Sequence, residues 1–184
     1  EVMGRDAGHL AMHTALAGFA DICLVPEIPY SIDDVIEKLK QIKARGKTHA
    51  IIVVSEAIRT ESGEKSSSAT NMMGEKVYGG IAEYLNTEIS KRYSDFQIRT
   101  MKMGHLPRGK NPDAFDRITA SLFGAKAIEL LEQGITNHMV ALKDGKIVSL
   151  PVEEAVKSGT RLLDLNSSYV SAAKKLGMYI GKIK

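Results

Sequence analysis

The sequence predicts an α/β fold: a three-layer α/β/α domain built on a largely parallel sheet. Three observations predict it. Short Val- and Ile-rich runs, of the kind that form strands buried on both faces, alternate with stretches of helical period. Glycines and prolines close these segments one after another, as they do at helix ends and strand turns. A single strong hairpin signal, Asp144-Gly145, stands in the chain, so most other strands must be joined through helices and lie parallel.

Glu1-Val2-Met3-Gly4 reads as the end of a strand running into a glycine turn, and with no initiator Met it suggests a chain that begins inside a larger protein. Arg5 to Ala17, rich in Ala, Leu and Met, predicts a helix stopped by Gly18. Ile22 to Val25 is a buried strand closed by Pro26. Ser31 then caps a helix with Asp33 and Asp34 in its first turn and Val35, Ile36, Leu39 and Ile42 along one face, ending near Gly46. His49 to Ser55 is the next buried strand. The polar stretch Glu61 to Thr70 is expected to be a mobile loop, because it has little apolar surface to set against the entropy of ordering. A helix from about Asn71 to Lys91 and a strand from Phe96 to Met101 follow. Asp113 opens a helix with Ile118, Leu122, Ala125, Ile128 and Leu131 at helical spacing, ended by Gly134. Met139 to Leu142 and Ile147 to Leu150 flank the hairpin turn, and Ser168 to Lys175 closes the fold as a helix.

With 184 residues, 43% apolar and 26% charged, the chain is read as one soluble globular domain. A net charge of +3, evenly scattered, argues against a nucleic-acid surface and leaves anionic small molecules as partners. The lone Cys23, inside Ile22-Cys23-Leu24-Val25, reads as a buried core thiol in a reducing cytoplasm. No run is long and apolar enough for a membrane span, and the first residues do not resemble a signal peptide.

In open α/β sheets ligands collect beyond the carboxyl ends of the strands, where loops converge and helix amino termini present unpaired N–H groups. Three polar clusters fall at such ends. Met3-Gly4-Arg5 combines close backbone approach with a guanidinium suited to phosphate, although a plain turn with a solvated arginine fits equally well. Glu56, directly after the second buried strand, has a carboxylate able to accept from sugar hydroxyls, or simply to cap a loop. The run from Arg99 through Gly104-His105 to Arg108-Gly109 has the composition of an anion site, and a phosphorylated metabolite is its natural ligand. His9 and His13, four apart on one helix face, lack the glutamate of a metalloprotease pattern and read as packed or surface histidines.

Taken together, Glu1-Val2-Met3-Gly4-Arg5, Val25-Pro26-Glu27, Arg45-Gly46-Lys47, Ser55-Glu56, Gly104-His105 with Arg108-Gly109, and Asp116-Arg117 resemble the second half of the phosphofructokinase family. Pro107 and Lys110 depart from the usual Gln and Gly, and the span between Glu56 and Arg99 is longer than in the compact bacterial enzymes. Neither the glycine-rich nucleotide loop nor the Thr-Ile-Asp motif of the catalytic base is visible.

The resemblance implies a Rossmann-like second domain of the phosphofructokinase fold over 1–184. It implies phosphoryl transfer from magnesium-bound ATP, or from pyrophosphate, to the 1-hydroxyl of fructose 6-phosphate, with this chain supplying the acceptor site. Backbone at Met3 and Gly4 with Glu56 would hold the sugar hydroxyls, and Arg5 would meet the transferring phosphoryl as the catalytic residue. His105 and Arg108 would grip the 6-phosphate. Arg99 would reach a neighbouring subunit's substrate, so a homo-oligomer, a tetramer at full length, is expected. Asp21, Arg45 and Lys47 fall where the family binds a nucleotide diphosphate or phosphoenolpyruvate effector. No metal site is expected in the chain itself, and alone it is expected to be inactive. Two rivals stand beside this reading. A non-catalytic sugar-phosphate-sensing domain would keep the same cluster, and a Rossmann oxidoreductase is disfavoured because no Gly-x-Gly-x-x-Gly follows a strand.

Overall fold

Alternation of side chains across one parallel strand pair sets the architecture. In the computed structural model β1 (Ile22–Leu24) runs parallel to β2 (Ile52–Val54), with Ile22 opposite Ile52, Cys23 opposite Val53 and Leu24 opposite Val54. Successive side chains of a strand point to opposite faces. Cys23, Val25 and Val53 accordingly enter one apolar cluster, and Ile22, Leu24 and Val54 enter the other. The structure describes residues 1–64, 67–70, 76–78, 80–157, 159 and 161–182, of which 67–70 and 76–78 by backbone alone.

Helices cover both faces. α1 (His9–Ala17) and α6 (Ser168–Lys175) bury Ala11, Met12, Ala15, Val170 and Ala173 in the first cluster. On the other face α2 (Ile32–Ala44) buries Ile32, Val35, Ile36, Leu39 and Ile42, and α3 (Ile81–Arg92) buries Ile81, Ala82, Leu85 and Ile89. The sheet extends by parallel bridges from Ile22 to Tyr179 on one side and from Ser55 to Val2 on the other. This is the expected α/β/α arrangement.

The chain forms two compact units, Glu1–Pro107 with Leu162–Lys184, and Arg108–Arg161. The second contains α4 (Ala114–Glu132), the antiparallel pair β5 (His138–Lys143) and β6 (Lys146–Pro151), and α5 (Val152–Lys157), a short helix that the sequence had not suggested. Asp113 caps α4 in a capping box with Asp116, and the hairpin turns through Asp144 and Gly145, both at positive φ, 51° and 75°.

Four expectations need correction. The first helix starts at His9 rather than Arg5, because Gly8 stands at its cap with its N–H committed to the Glu27 carboxylate. The helix expected from Asn71 starts at Ile81. Gly80 precedes it in the left-handed conformation (φ 88°), and an antiparallel pair, β3 (Ser67–Thr70) with β4 (Lys76–Tyr78), occupies the earlier stretch. Within the loop expected from Glu61 to Thr70, Thr60 and Glu64 are hydrogen-bonded across a turn, and 65 and 66 lie outside the described residues. Phe96 to Met101 is not a strand. Phe96 and Ile98 pack against the α2–α3 cluster, so their apolar pattern reflects packing and not ladder pairing. The helix expected from Asp113 forms as α4, with Ile118, Leu122, Ile128 and Leu131 exposed along it and Leu130 buried.

Candidate functional site

At the carboxyl end of β2 two chain segments meet. Val2 donates its N–H to Val54 O at 2.9 Å, and Glu56 N donates to Val2 O at 3.0 Å, which sets the Met3–Gly4 turn beside Glu56. Gly4 N then donates to Glu56 Oε1 at 3.1 Å, and the fully buried Ser55 hydroxyl donates to Gly4 O at 3.2 Å. A Cβ on Gly4 would stand 2.7 Å from Ala7 O and 2.8 Å from Ser55 Oγ, so the close approach requires glycine. The structure therefore brings Met3, Gly4 and Glu56 together, 52 positions apart at the hydrogen bond itself. Arg5, next in the turn, is exposed.

Behind this turn α1 begins at Gly8. Its cap has no side chain, and Glu27 supplies one: Gly8 N lies 2.9 Å from Oε1 and 3.1 Å from Oε2, and Leu163 N donates to Oε1 at 2.8 Å. A carboxylate at a helix amino terminus satisfies an orphan N–H and opposes the positive end of the helix dipole. Val25-Pro26-Glu27 was visible as a motif, but not this role, which depends on partners 19 and 136 residues away.

Glu1 is the second carboxylate that sequence reasoning left without a role. Its side chain is 1% exposed and accepts from Gly80 N at 3.0 Å and Ala82 N at 3.1 Å, capping α3. Its backbone pairs with the segment leading to Gly104-His105: Glu1 N donates to Met101 O at 2.8 Å and Met103 N to Glu1 O at 2.9 Å. Gly104 lies at φ 52°, and Leu106 N closes the turn onto Met103 O at 3.1 Å. His105 is exposed on this turn, and Arg99 is exposed beside a cavity of about 70 Å³ lined also by Glu1 and Met101. Arg108 opens the second unit at the end of the 3-10 turn Leu106–Arg108, and is exposed there.

Asp21 precedes β1 and Lys47 precedes β2, so the proposed effector residues lie at the opposite, amino ends of the strands. Lys47 Nζ contacts Asp21 Oδ1 at 2.6 Å, and Asp21 also accepts from Ile51 N at 2.9 Å. Burial first, and then the charges of Arg45 and Lys47 against the opposing charge of Asp21, lowers the pKa of Lys38 nearby.

A larger cavity of about 320 Å³ also opens beyond the strand ends, lined by Pro26, Pro29, Tyr30, Ala57, Ile58 and Glu61 among others, but not by Met3, Gly4 or Glu56. Glu61 accepts from Ile32 N at 2.8 Å and from Arg92 at 2.9 Å, fastening the loop after Glu56 to α2 and α3. His13 packs against the Tyr169 ring at 4.5 Å between centroids. Among the described residues no group of three His, Cys, Asp or Glu side chains is placed to hold a metal, and no helix is long and apolar enough to cross a membrane.

Helices on both faces of a parallel strand pair, with polar turns beyond the carboxyl ends of the strands, define a three-layer α/β protein. The family model described as phosphofructokinase matches residues 1–131, and the chain belongs to that family. It is 41% identical over 181 residues to an ATP-dependent 6-phosphofructokinase 1 of Synechocystis sp., covering 98% of this chain and 49% of that protein. An ATP-dependent 6-phosphofructokinase 1 of Nostoc sp. is also 41% identical, over 182 residues, with 99% and 50% covered. The chain thus spans about half the length of the curated relatives it matches. Among solved structures, the Pichia pastoris phosphofructokinase in the T-state superposes with a TM-score of 0.68 at 25% identity, covering 95% of this chain and 18% of that one.

Proposed function

We propose that this chain is the acceptor half of a cytoplasmic 6-phosphofructokinase that moves a phosphoryl group from ATP to the 1-hydroxyl of fructose 6-phosphate. The observation that carries the reading is the bond from Gly4 N to Glu56 Oε1, which fixes a carboxylate and a backbone turn at the edge where α/β sheets bind ligands. Glu56 accepts from sugar hydroxyls there with the oxygen that Gly4 leaves free, and the Met3–Gly4 backbone lines the sugar. Arg5, exposed in the adjacent turn, meets the transferring phosphoryl and stabilises charge that grows in the transition state. His105 and Arg108 take the 6-phosphate; Arg99 serves a neighbouring subunit of a homotetramer. Asp21, Arg45 and Lys47 contribute to an anionic-effector site for a nucleotide diphosphate or phosphoenolpyruvate. ATP is favoured over pyrophosphate by the names of the relatives. Magnesium travels with the donor: no acidic cluster among the described residues fits it, and no step of this chain's chemistry is assigned to it.

Steady-state kinetics of the protein carrying this chain with a nucleotide-binding half test the roles. Arg5→Ala lowers kcat, since that contact grows only in the transition state, whereas Arg108→Ala raises the KM for fructose 6-phosphate. A charged hydrogen bond contributes about 1.5–3 kcal/mol, so each effect is on the order of ten- to a hundredfold. Fructose 6-phosphate binding with no turnover on either ATP or pyrophosphate would favour the sensing domain instead.

A further inference from the structure

Glu1 sits where three pieces of the acceptor region join. Its carboxylate, 1% exposed, takes the N–H groups of Gly80 and Ala82 at the start of α3. Its backbone holds the Met101–Met103 segment that leads to His105, and the next residue, Val2, is laddered to Val54 and Glu56. Gly80 offers no side chain to cap α3, so the capping charge comes from the strand that ends in the Met3–Gly4 turn. Lys102 Nζ stands off at 3.8 Å and is 39% exposed, whereas the amino terminus of α3 supplies hydrogen bonds of 3.0–3.1 Å to this buried carboxylate.

We infer that Glu1 is a positioning residue for the acceptor site, locking α3 to both the sugar turn and the phosphate turn so that the two keep one spacing. The inference rests on the fructose 6-phosphate reading. An isosteric amide keeps the shape of the side chain but turns one of its acceptor oxygens into a donor, which faces the N–H groups of Gly80 and Ala82 or the ammonium of Lys102. The cap loses its negative charge and at least the bond to the second oxygen, so α3 is held less firmly to Glu1 and the turns at Gly4 and His105 lose part of their common anchor. Misplacement of binding groups by about 1 Å is enough to cost an order of magnitude or more in effective binding.

The test is kinetic and uses the protein that joins this chain to a nucleotide-binding half. Glu1→Gln should raise the KM for fructose 6-phosphate about tenfold while the KM for ATP stays within about twofold, a split that general loss of structure would not produce. Both constants rising together, or neither moving, overturns the inference. Hydrogen exchange of the unaltered protein supplies a second reading that survives a variant that fails to fold: fructose 6-phosphate should slow exchange of the Gly80 and Ala82 amides, and no change there overturns the inference as well. An unaltered protein that neither binds nor turns over fructose 6-phosphate sinks the underlying reading by a separate result, and the role of Glu1 with it.

Discussion

Gly4→Ala probes the carboxyl edge of the sheet most directly, because one methyl group there meets atoms that cannot all move. The new Cβ would lie 2.7 Å from Ala7 O, which is backbone, and 2.8 Å from Ser55 Oγ, whose residue is fully buried. Ser55 can rotate only by giving up its bond to Gly4 O. Ala7 O can retreat only if the whole turn before α1 shifts. Overpacking of this kind costs about 1–3 kcal/mol. At about 2–4 °C per kcal/mol for a chain of this size, the unfolding midpoint should fall on the order of 5 °C. Because Gly4 N carries the bond to Glu56 Oε1, the same shift should raise the KM for fructose 6-phosphate. Thermal unfolding followed by circular dichroism and steady-state kinetics read the two effects. Adding Ser55→Ala should restore part of the midpoint but not all, since Ala7 O remains in the way. A midpoint and KM both unchanged in Gly4→Ala would refute the claim that this turn is closely packed against Glu56.

Glu27→Ala should destabilise the protein by about 2–4 kcal/mol, combining loss of the α1 cap with a Leu163 N–H left without its carboxylate; urea unfolding should show a lower midpoint at unchanged slope. Burial pushes the Cys23 thiol up to about 12, so the folded state keeps it neutral where an unfolded chain ionises it. The sign follows: this contribution to stability is complete below the ordinary thiol pKa of about 8.5 and is lost progressively as pH rises from there toward the folded value. Iodoacetamide at pH 8 should label Cys23 only after denaturation, and labelling of the native protein would contradict its burial.

What could be read from sequence was what is decided locally. The helix start at Asp113, the Asp144-Gly145 turn and the Ser31 cap each depend on residues within three positions of one another, and all three formed as expected. The buried runs around Cys23 and Val53 were legible because both faces of each strand are covered, which leaves no polar alternation to confuse the period. Glu1 and Glu27 were illegible for the opposite reason: the N–H groups they serve lie between 19 and 136 positions away, and nothing local announces a buried carboxylate. Phe96 to Met101 has the composition of a strand, but composition reports only that Phe96 and Ile98 are packed, not whether a neighbour accepts their backbone. On α4 the helical spacing was right and its usual meaning was not, since the stripe from Ile118 to Leu131 is exposed apart from its neighbour Leu130.

The two proposed ligand regions of the first unit stand at opposite ends of the same strands, and that placement constrains how one could influence the other. Asp21 and Lys47 close the amino ends of β1 and β2; Glu27 and Glu56 stand beyond the carboxyl ends. Between them Ile22, Cys23 and Leu24 are at most 1% exposed and are packed from both faces. Close-packed interiors transmit displacement without absorbing it, so a ligand drawing Lys47 away from Asp21 would not be lost in a soft layer. Distance alone does not make such a link allosteric, however; that requires two states with different contacts at each site. The groups able to differ between states are the partly exposed ion pair at one end and the exposed Arg5 and His105 turns at the other, while β1 serves as the rigid spacer. An effector response would therefore appear as a movement of the whole β1–β2 pair as one body, and not as a change of shape within it.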